Sequence, residues 1–176
     1  ITFREFIYRS RNIQKQVNNI DLQIDPNVNN LIFMSHYYIA EIDTGVCKSL
    51  YDAGLCANET YITKEEAKLV QDDDLMANTS TSIFYQNRNN IKTFNGFKYF
   101  TSITKIPKEC FYFCSSLTSI ELPPNVKTLG DACFQSTAIE SITIPTAVVT
   151  IPNYCFDNCL NLKSCILSEN ISIIGT

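Results

Sequence analysis

The chain contains a single histidine, His36, among its 176 residues. That scarcity removes much chemistry at the outset. A cysteine nucleophile needs a partner base, and His36 sits in an aromatic stretch where it reads as a structural side chain. The two Cys-x-x-x-Cys pairs, Cys110/Cys114 and Cys155/Cys159, lack the spacing of zinc ligands. No catalytic, cofactor-binding or metal-ligating set is therefore expected, and carboxylates, though plentiful, fall at no spacing that demands a paired acid and base. Long apolar runs are also missing. The longest, Leu31-Ile32-Phe33-Met34, is far short of the roughly 18 residues of a spanning helix. The first residues, ITFREFIYRS, hold neither a starting Met nor a continuous apolar run, so a signal peptide is expected to be absent or already removed. A Lys/Arg stripe is lacking as well, which argues against a nucleic-acid partner.

What the chain does have is a repeat between Ile103 and Thr176. Phe111, Phe134 and Phe156 each follow a cysteine, at Cys110, Cys133 and Cys155. The pairs Ile103/Ile106, Val126/Leu129 and Val148/Ile151 precede them in register, with a partial copy at Ile171/Ile174. Between them lie Leu117-x-x-Ile120-x-Leu122-Pro123, Ile139-x-x-Ile142-x-Ile144-Pro145 and Leu162-x-x-Cys165-x-Leu167. A fixed period of this size marks a coil of units, none of which can bury its apolar edge alone. The alternation Ile120, Leu122 and Ile142, Ile144 predicts short strands ended by Pro and Asn. A short helical turn is expected around each Phe, which would put Cys110 and Cys114, and Cys155 and Cys159, on one face. Each buried Phe should contribute roughly 1.5–3 kcal/mol.

These units, notably Cys133-Phe134 to Thr150-Ile151 and Tyr154-Cys155-Phe156-x-x-Cys159-x-x-Leu162, resemble the leucine-rich repeats of BspA-like bacterial surface proteins. Upstream, Thr63-Lys64-Glu65-Glu66-Ala67-x-x-Val70 and Ile91-x-x-Phe94-Asn95-x-Phe97-x-Tyr99-Phe100-Thr101 are similar to the segment before the first repeat in Bacteroides-type members. The resemblance runs from about Tyr38 to the end and implies a one-sided solenoid used for adhesion and protein binding rather than catalysis. Residues 1–37 carry no such resemblance. The resembled upstream segment often holds a calcium loop, but here the pattern fails. With Glu66 as twelfth ligand, Leu55, Ala57, Glu59 and Thr60 would fill the first, third, fifth and sixth places, which need oxygen ligands and a Gly.

The expected fold class is α+β, an N-terminal mixed helix/strand region followed by a short BspA-like leucine-rich-repeat solenoid. Residues 1–37 would form an arm or anchoring segment, 38–90 a small helical cap region, and 91–176 a solenoid of about three repeats. In the arm, Ile13, Val17 and Ile20 suit a short helix, and Ile20, Leu22 and Ile24 then alternate like a strand. A second strand is expected from about His36 to Ile42. Val46, Cys47, Leu50 and Tyr51 give a helical face, and Thr63-x-x-Glu66 is a capping box for a helix of about 64–70. The triple acid Asp72-Asp73-Asp74 opposes a helix C-terminal dipole and reads as the loop that ends that helix. Residues 75–90 read as a polar connection. Because Ile174-Gly175 repeats Leu129-Gly130, both ends of the chain are expected to be cuts in a longer protein.

The eight cysteines invite suspicion, since Cys110, Cys133 and Cys155 would stack at about 4.8 Å, inside the window for a disulfide. Free cysteine packs small core positions well, and reduced core packing is the expectation. Asn58, Asn78 and Asn170 head glycosylation acceptor patterns, of consequence only in a eukaryotic secretory pathway.

Charge divides the chain unevenly. Residues 1–20 carry Arg4, Arg9, Arg11 and Lys15 against Glu5, whereas 21–74 carry eleven acids against Lys48, Lys64 and Lys68. A basic arm on an acidic body is either an interaction tail or a solvated amphipathic arm. The leading functional expectation is a non-enzymatic interaction or adhesion module, extracellular or at a cell surface. It would meet a protein partner or a surface glycan through exposed strand positions Thr118, Glu121, Glu140, Thr143 and Lys163. The alternative is a structural virion component of a phage of Bacteroides-like hosts, suggested by the arm and by 17 Asn and 22 Ile, as from an AT-rich genome. There the arm residues Phe3, Arg4, Phe6, Arg9, Arg11 and Lys15 would dock to the particle as part of a larger assembly.

Overall fold

A computed structural model of the chain describes residues 38–39, 42–78 and 80–176. The helix expected at Ile13, Val17 and Ile20, the strand after it, His36 and the docking arm Phe3, Arg4, Phe6, Arg9, Arg11 and Lys15 lie outside the described residues.

The first part is small and helical. Helix α1 (Thr44–Asp52) begins where the Asp43 carboxylate accepts the Val46 N–H at 3.0 Å, satisfying one of the orphan donors of a first turn. Its apolar face, Val46, Cys47 and Leu50, is fully buried, and Tyr51 packs at the edge. Helix α2 (Lys64–Leu69) carries the capping box read from its sequence: Thr63 Oγ1 accepts from Glu66 N, and Glu66 accepts from Thr63 N at 2.9 Å. Glu66 also accepts the Ala57 N–H at 2.7 Å, which ties the preceding loop to the helix. Two expectations need correction. The acids do not form a loop: Asp72–Leu75 is a 3-10 helix with three acids in its first turn, where a dipole favours them. Residues 75–90 are more than a polar connection, because Leu75, Ile83 and Phe84 are buried in the core and Tyr85–Asn90 is a second 3-10 helix.

The rest is a set of short parallel strands. They are β1 (Thr93–Phe94), β2 (Lys105–Ile106), β3 (Ser119–Ile120), β4 (Thr128–Leu129), β5 (Ser141–Thr143), β6 (Thr150–Ile151), β7 (Ser164–Ile166) and β8 (Ile173–Ile174). They form four two-stranded parallel sheets, each joining a strand to its counterpart one repeat later. β1 pairs with β3 (Phe94 opposite Ile120) and β5 with β7 (Ile142 opposite Cys165). β2 pairs with β4 (Ile106 opposite Leu129) and β6 with β8 (Ile151 opposite Ile174). Glu140 N bridges the gap between β3 and β5 by donating to Thr118 O at 3.1 Å. The strands thus run as two files, one through β1, β3, β5 and β7, the other through β2, β4, β6 and β8. At Gly130 the neighbouring rung comes too close for any side chain, since a Cβ there would lie 2.6 Å from Pro107 C and 2.7 Å from Lys108 Cα.

The Cys-Phe segments are not helical, which corrects the expected helical turn. Cys110, Tyr112 and Cys114 donate back to Pro107, Glu109 and Phe111 within the turn. The alternate residues Glu109, Phe111 and Phe113 donate instead to Asp131, Cys133 and Gln135 of the next repeat, at 3.0, 2.8 and 3.0 Å. A helix would spend each of these N–H groups on its own chain. Here every second one joins the rungs together. The alternation requires left-handed backbone at both ends of each turn, at Glu109 and Phe113, Ala132 and Ser136, Tyr154 and Asn158 (φ 54 to 59°). None of the six is glycine, so the sequence offers no local sign of the geometry. The shared face survives the change of conformation: Cys110, Cys114, Cys155 and Cys159 are all buried.

Down the middle runs a file of phenyl rings. Phe111 and Phe134 stack at 5.4 Å and 6°, and Phe134 and Phe156 at 5.7 Å and 5°. Phe84 extends the file as a rung missed in the sequence, stacked on Phe111 at 5.0 Å and 18°. Phe156 is only partly buried, contrary to expectation.

Two carboxylates close the first rung. Asp43 Oδ2 accepts the N–H groups of Lys92 and Thr93, the latter at 2.9 Å. Asp72 accepts from Thr104 N, Thr104 Oγ1 and Lys105 N at 2.7, 2.7 and 3.0 Å. In later repeats such N–H groups find the carbonyl of the preceding copy, as Lys127 N finds Thr104 O at 2.7 Å. The acids take the place of the missing copy, and in doing so they protect an edge that would otherwise present unpaired donors.

Candidate interaction face

The five strand-side positions named from the sequence are all exposed, and the structure brings two of them, Glu140 and Lys163, together across rungs. Ile120, Leu122, Ile142 and Ile144 point inward and are buried, so the alternating positions Ser119, Glu121, Ser141 and Thr143 face outward. Glu121 meets Lys98 at 3.3 Å, and Glu140 meets Lys163 at 3.0 Å. Ser119 Oγ donates to Asn95 Oδ1 at 2.6 Å. Thr118 precedes β3, and its Oγ1 donates to Lys92 O at 3.1 Å, so the hydroxyl also braces the rung below. Thr143 lies in β5 on the outward side, opposite Ile166 of β7. Exposed ion pairs of this kind contribute little to stability. What they do is set side chains of opposite charge beside one another across neighbouring repeats.

A second feature was missed by the sequence reading. A cleft of about 800 Å³ opens beside α1, lined among others by Asp43, Lys48, Glu59, Asn87, Asn90 and Lys92. Its walls come from segments up to 50 residues apart, as the Asp43 to Thr93 hydrogen bond shows, and no local spacing announces them. Lys48 is engaged with Asp52 at 2.6 Å, and Asn87 with Ser49 at 3.2 Å.

All eight cysteines are free, and only Cys165 is exposed. Burial and the nearby Asp43 carboxylate push the Cys47 thiol from 9.0 up to about 12. Burial likewise lifts Cys114 to about 12 and raises Cys110 and Cys133 above their ordinary range. A thiol that attacks from within the closed fold needs the opposite shift. Among the described residues, no group of three or more His, Cys, Asp and Glu side chains is arranged to hold a metal ion, and no helix is long and apolar enough to cross a membrane.

Parallel strands in register from repeat to repeat, a phenyl file and an outward polar side together define a repeat protein that works through its surface. The chain belongs to the BspA-type leucine-rich-repeat family: the family model for a BspA type leucine rich repeat region of six copies matches residues 78–176. The match begins upstream of the boundary expected at residue 91 and takes in Phe84. No curated protein and no solved structure matches the chain.

Proposed function

We propose that the chain is a non-enzymatic interaction module, a short capped solenoid displayed outside the cell or at its surface. Its strand-side row of Glu121, Glu140, Thr143 and Lys163, with Thr118 at its margin, meets a protein or a surface glycan. The observation that supports this most is the pairing of Glu121 with Lys98 and Glu140 with Lys163 on one side of the stack, which preorders side chains that the fold does not need for its core. Preordered side chains lose less entropy on binding. Membership of the repeat family fits the same reading, because stacked repeats build extended surfaces. The virion alternative rests on the arm in residues 1–37, and no observation among the described residues favours it. The test is binding of the purified chain to immobilised extracellular-matrix proteins and to a glycan array. Saturable binding within one of these classes is expected, and binding no stronger than that of an unrelated protein in both would contradict the proposal.

A further inference from the structure

Cys133 and Cys155 occupy the same position in successive repeats, and their Sγ atoms lie 3.5 Å apart in the core. The backbones there are joined by the Phe134 N–H donating to Cys155 O at 3.1 Å, which fixes the two rungs side by side at strand-like spacing. That spacing falls within the range a disulfide spans without backbone movement. Three of the other thiols have polar partners of their own. Cys110 meets Ser82, Cys159 bonds Phe134 O at 3.0 Å and Thr137 Oγ1 at 3.3 Å, and Cys56 turns to Asn58 O at 3.1 Å.

We propose that Cys133 and Cys155 form an oxidative cross-linking site, at which a small-molecule disulfide such as oxidised glutathione closes a staple between adjacent repeats. The thiolate of Cys155 attacks one sulfur of oxidised glutathione, forming a mixed disulfide and expelling one glutathione thiolate. Cys133 then loses its proton and attacks Cys155 Sγ, forming the Cys133–Cys155 bond and expelling the second glutathione. Two protein thiols are oxidised, one glutathione disulfide is reduced to two thiols, and the two protein protons end on glutathione. Cys155 is the first attacker because its own turn is less covered: Tyr154 beside it is 56% exposed and Phe156 only partly buried, whereas Phe134 beside Cys133 is fully buried. Local opening there reaches Cys155 before it reaches Cys133.

The folded chain, incubated with oxidised glutathione, is alkylated in denaturant and cut after glutamate, which separates Cys133 from Cys155 at Glu140. Loss of two of the eight thiols, with peptides 122–140 and 141–169 joined through Cys155, is the expected result. Alkylation at both cysteines, or a bond from Cys133 to Cys159 or Cys165, would overturn the proposal. Cys155→Ala should abolish the cross-link and Cys165→Ala should leave it intact; a link that persists in Cys155→Ala contradicts it. If Cys155→Ala fails to fold, the peptide map of the unmodified chain decides alone.

Discussion

Asp72 holds Thr104 by both carboxylate oxygens, one taking the backbone N–H at 2.7 Å and the other the side-chain hydroxyl at 2.7 Å. The partners lie 32 residues apart, and Lys105 N joins them at 3.0 Å. This contact stands where the next rung uses a backbone carbonyl, Lys127 N donating to Thr104 O at 2.7 Å. Asp72→Ala should cost about 1–2 kcal/mol in urea denaturation, as for a donor left without its partner, with Asp72→Asn losing less because one oxygen remains. Amide hydrogen exchange should accelerate at Thr104 and Lys105 and leave Gly175, bonded to Ile151 O at 2.8 Å, unchanged.

The phenyl file sets an order of stability losses. Phe134 is stacked on both sides and fully buried, so Phe134→Ala should cost about 3–5 kcal/mol. Phe156 is stacked on Phe134 and only partly buried, and its replacement should cost clearly less. Equal losses in chemical denaturation would mean that the last rung is covered in solution.

Backbone strain in the turns predicts an inversion of the usual substitution rule. Tyr154 is 56% exposed at φ 56°, so Tyr154→Gly should leave the thermal midpoint unchanged or raise it by relieving a left-handed residue worth about 1–2 kcal/mol. Tyr154→Val should lower stability, since a β-branched side chain suits that conformation least.

How much of this was legible beforehand follows from the range of each interaction. The rungs, their inward Ile and Leu positions, the face of α1 and the Thr63–Glu66 box were legible because each repeats at a fixed period or lies within one helical turn. The Cys-Phe turns misled because cysteines four apart mimic a helical face, while the left-handed residues carry ordinary side chains. Phe84 was overlooked because no cysteine precedes it, as one does each later Phe of the file, and its spacing to Phe111 is longer than the repeat. Asp43 and Asp72 find their partners across long stretches of chain, and nothing beside them in the sequence distinguishes them from other acids.

Raised thiols give stability a pH dependence. Cys47 and Cys114 ionise near 9.0 when exposed but near 12 in the fold, so above pH 9 the unfolded chain holds fewer protons than the folded one. Their contribution is complete below pH 9 and is lost as pH climbs toward 12. The urea midpoint should therefore fall as the pH rises from 9.0 toward about 12, and Cys114→Ala should flatten that fall.

The central claim, recognition through the strand-side row, is tested most directly by exchanging the charges of one rung pair. The double variant Glu140→Lys, Lys163→Glu keeps an ion pair at the same place in the stack and inverts the surface it shows. With whichever matrix protein or glycan the chain binds, affinity should drop at least about tenfold, or roughly 1.4 kcal/mol, while the thermal midpoint stays unchanged. Unaltered affinity in a folded double variant would contradict the account.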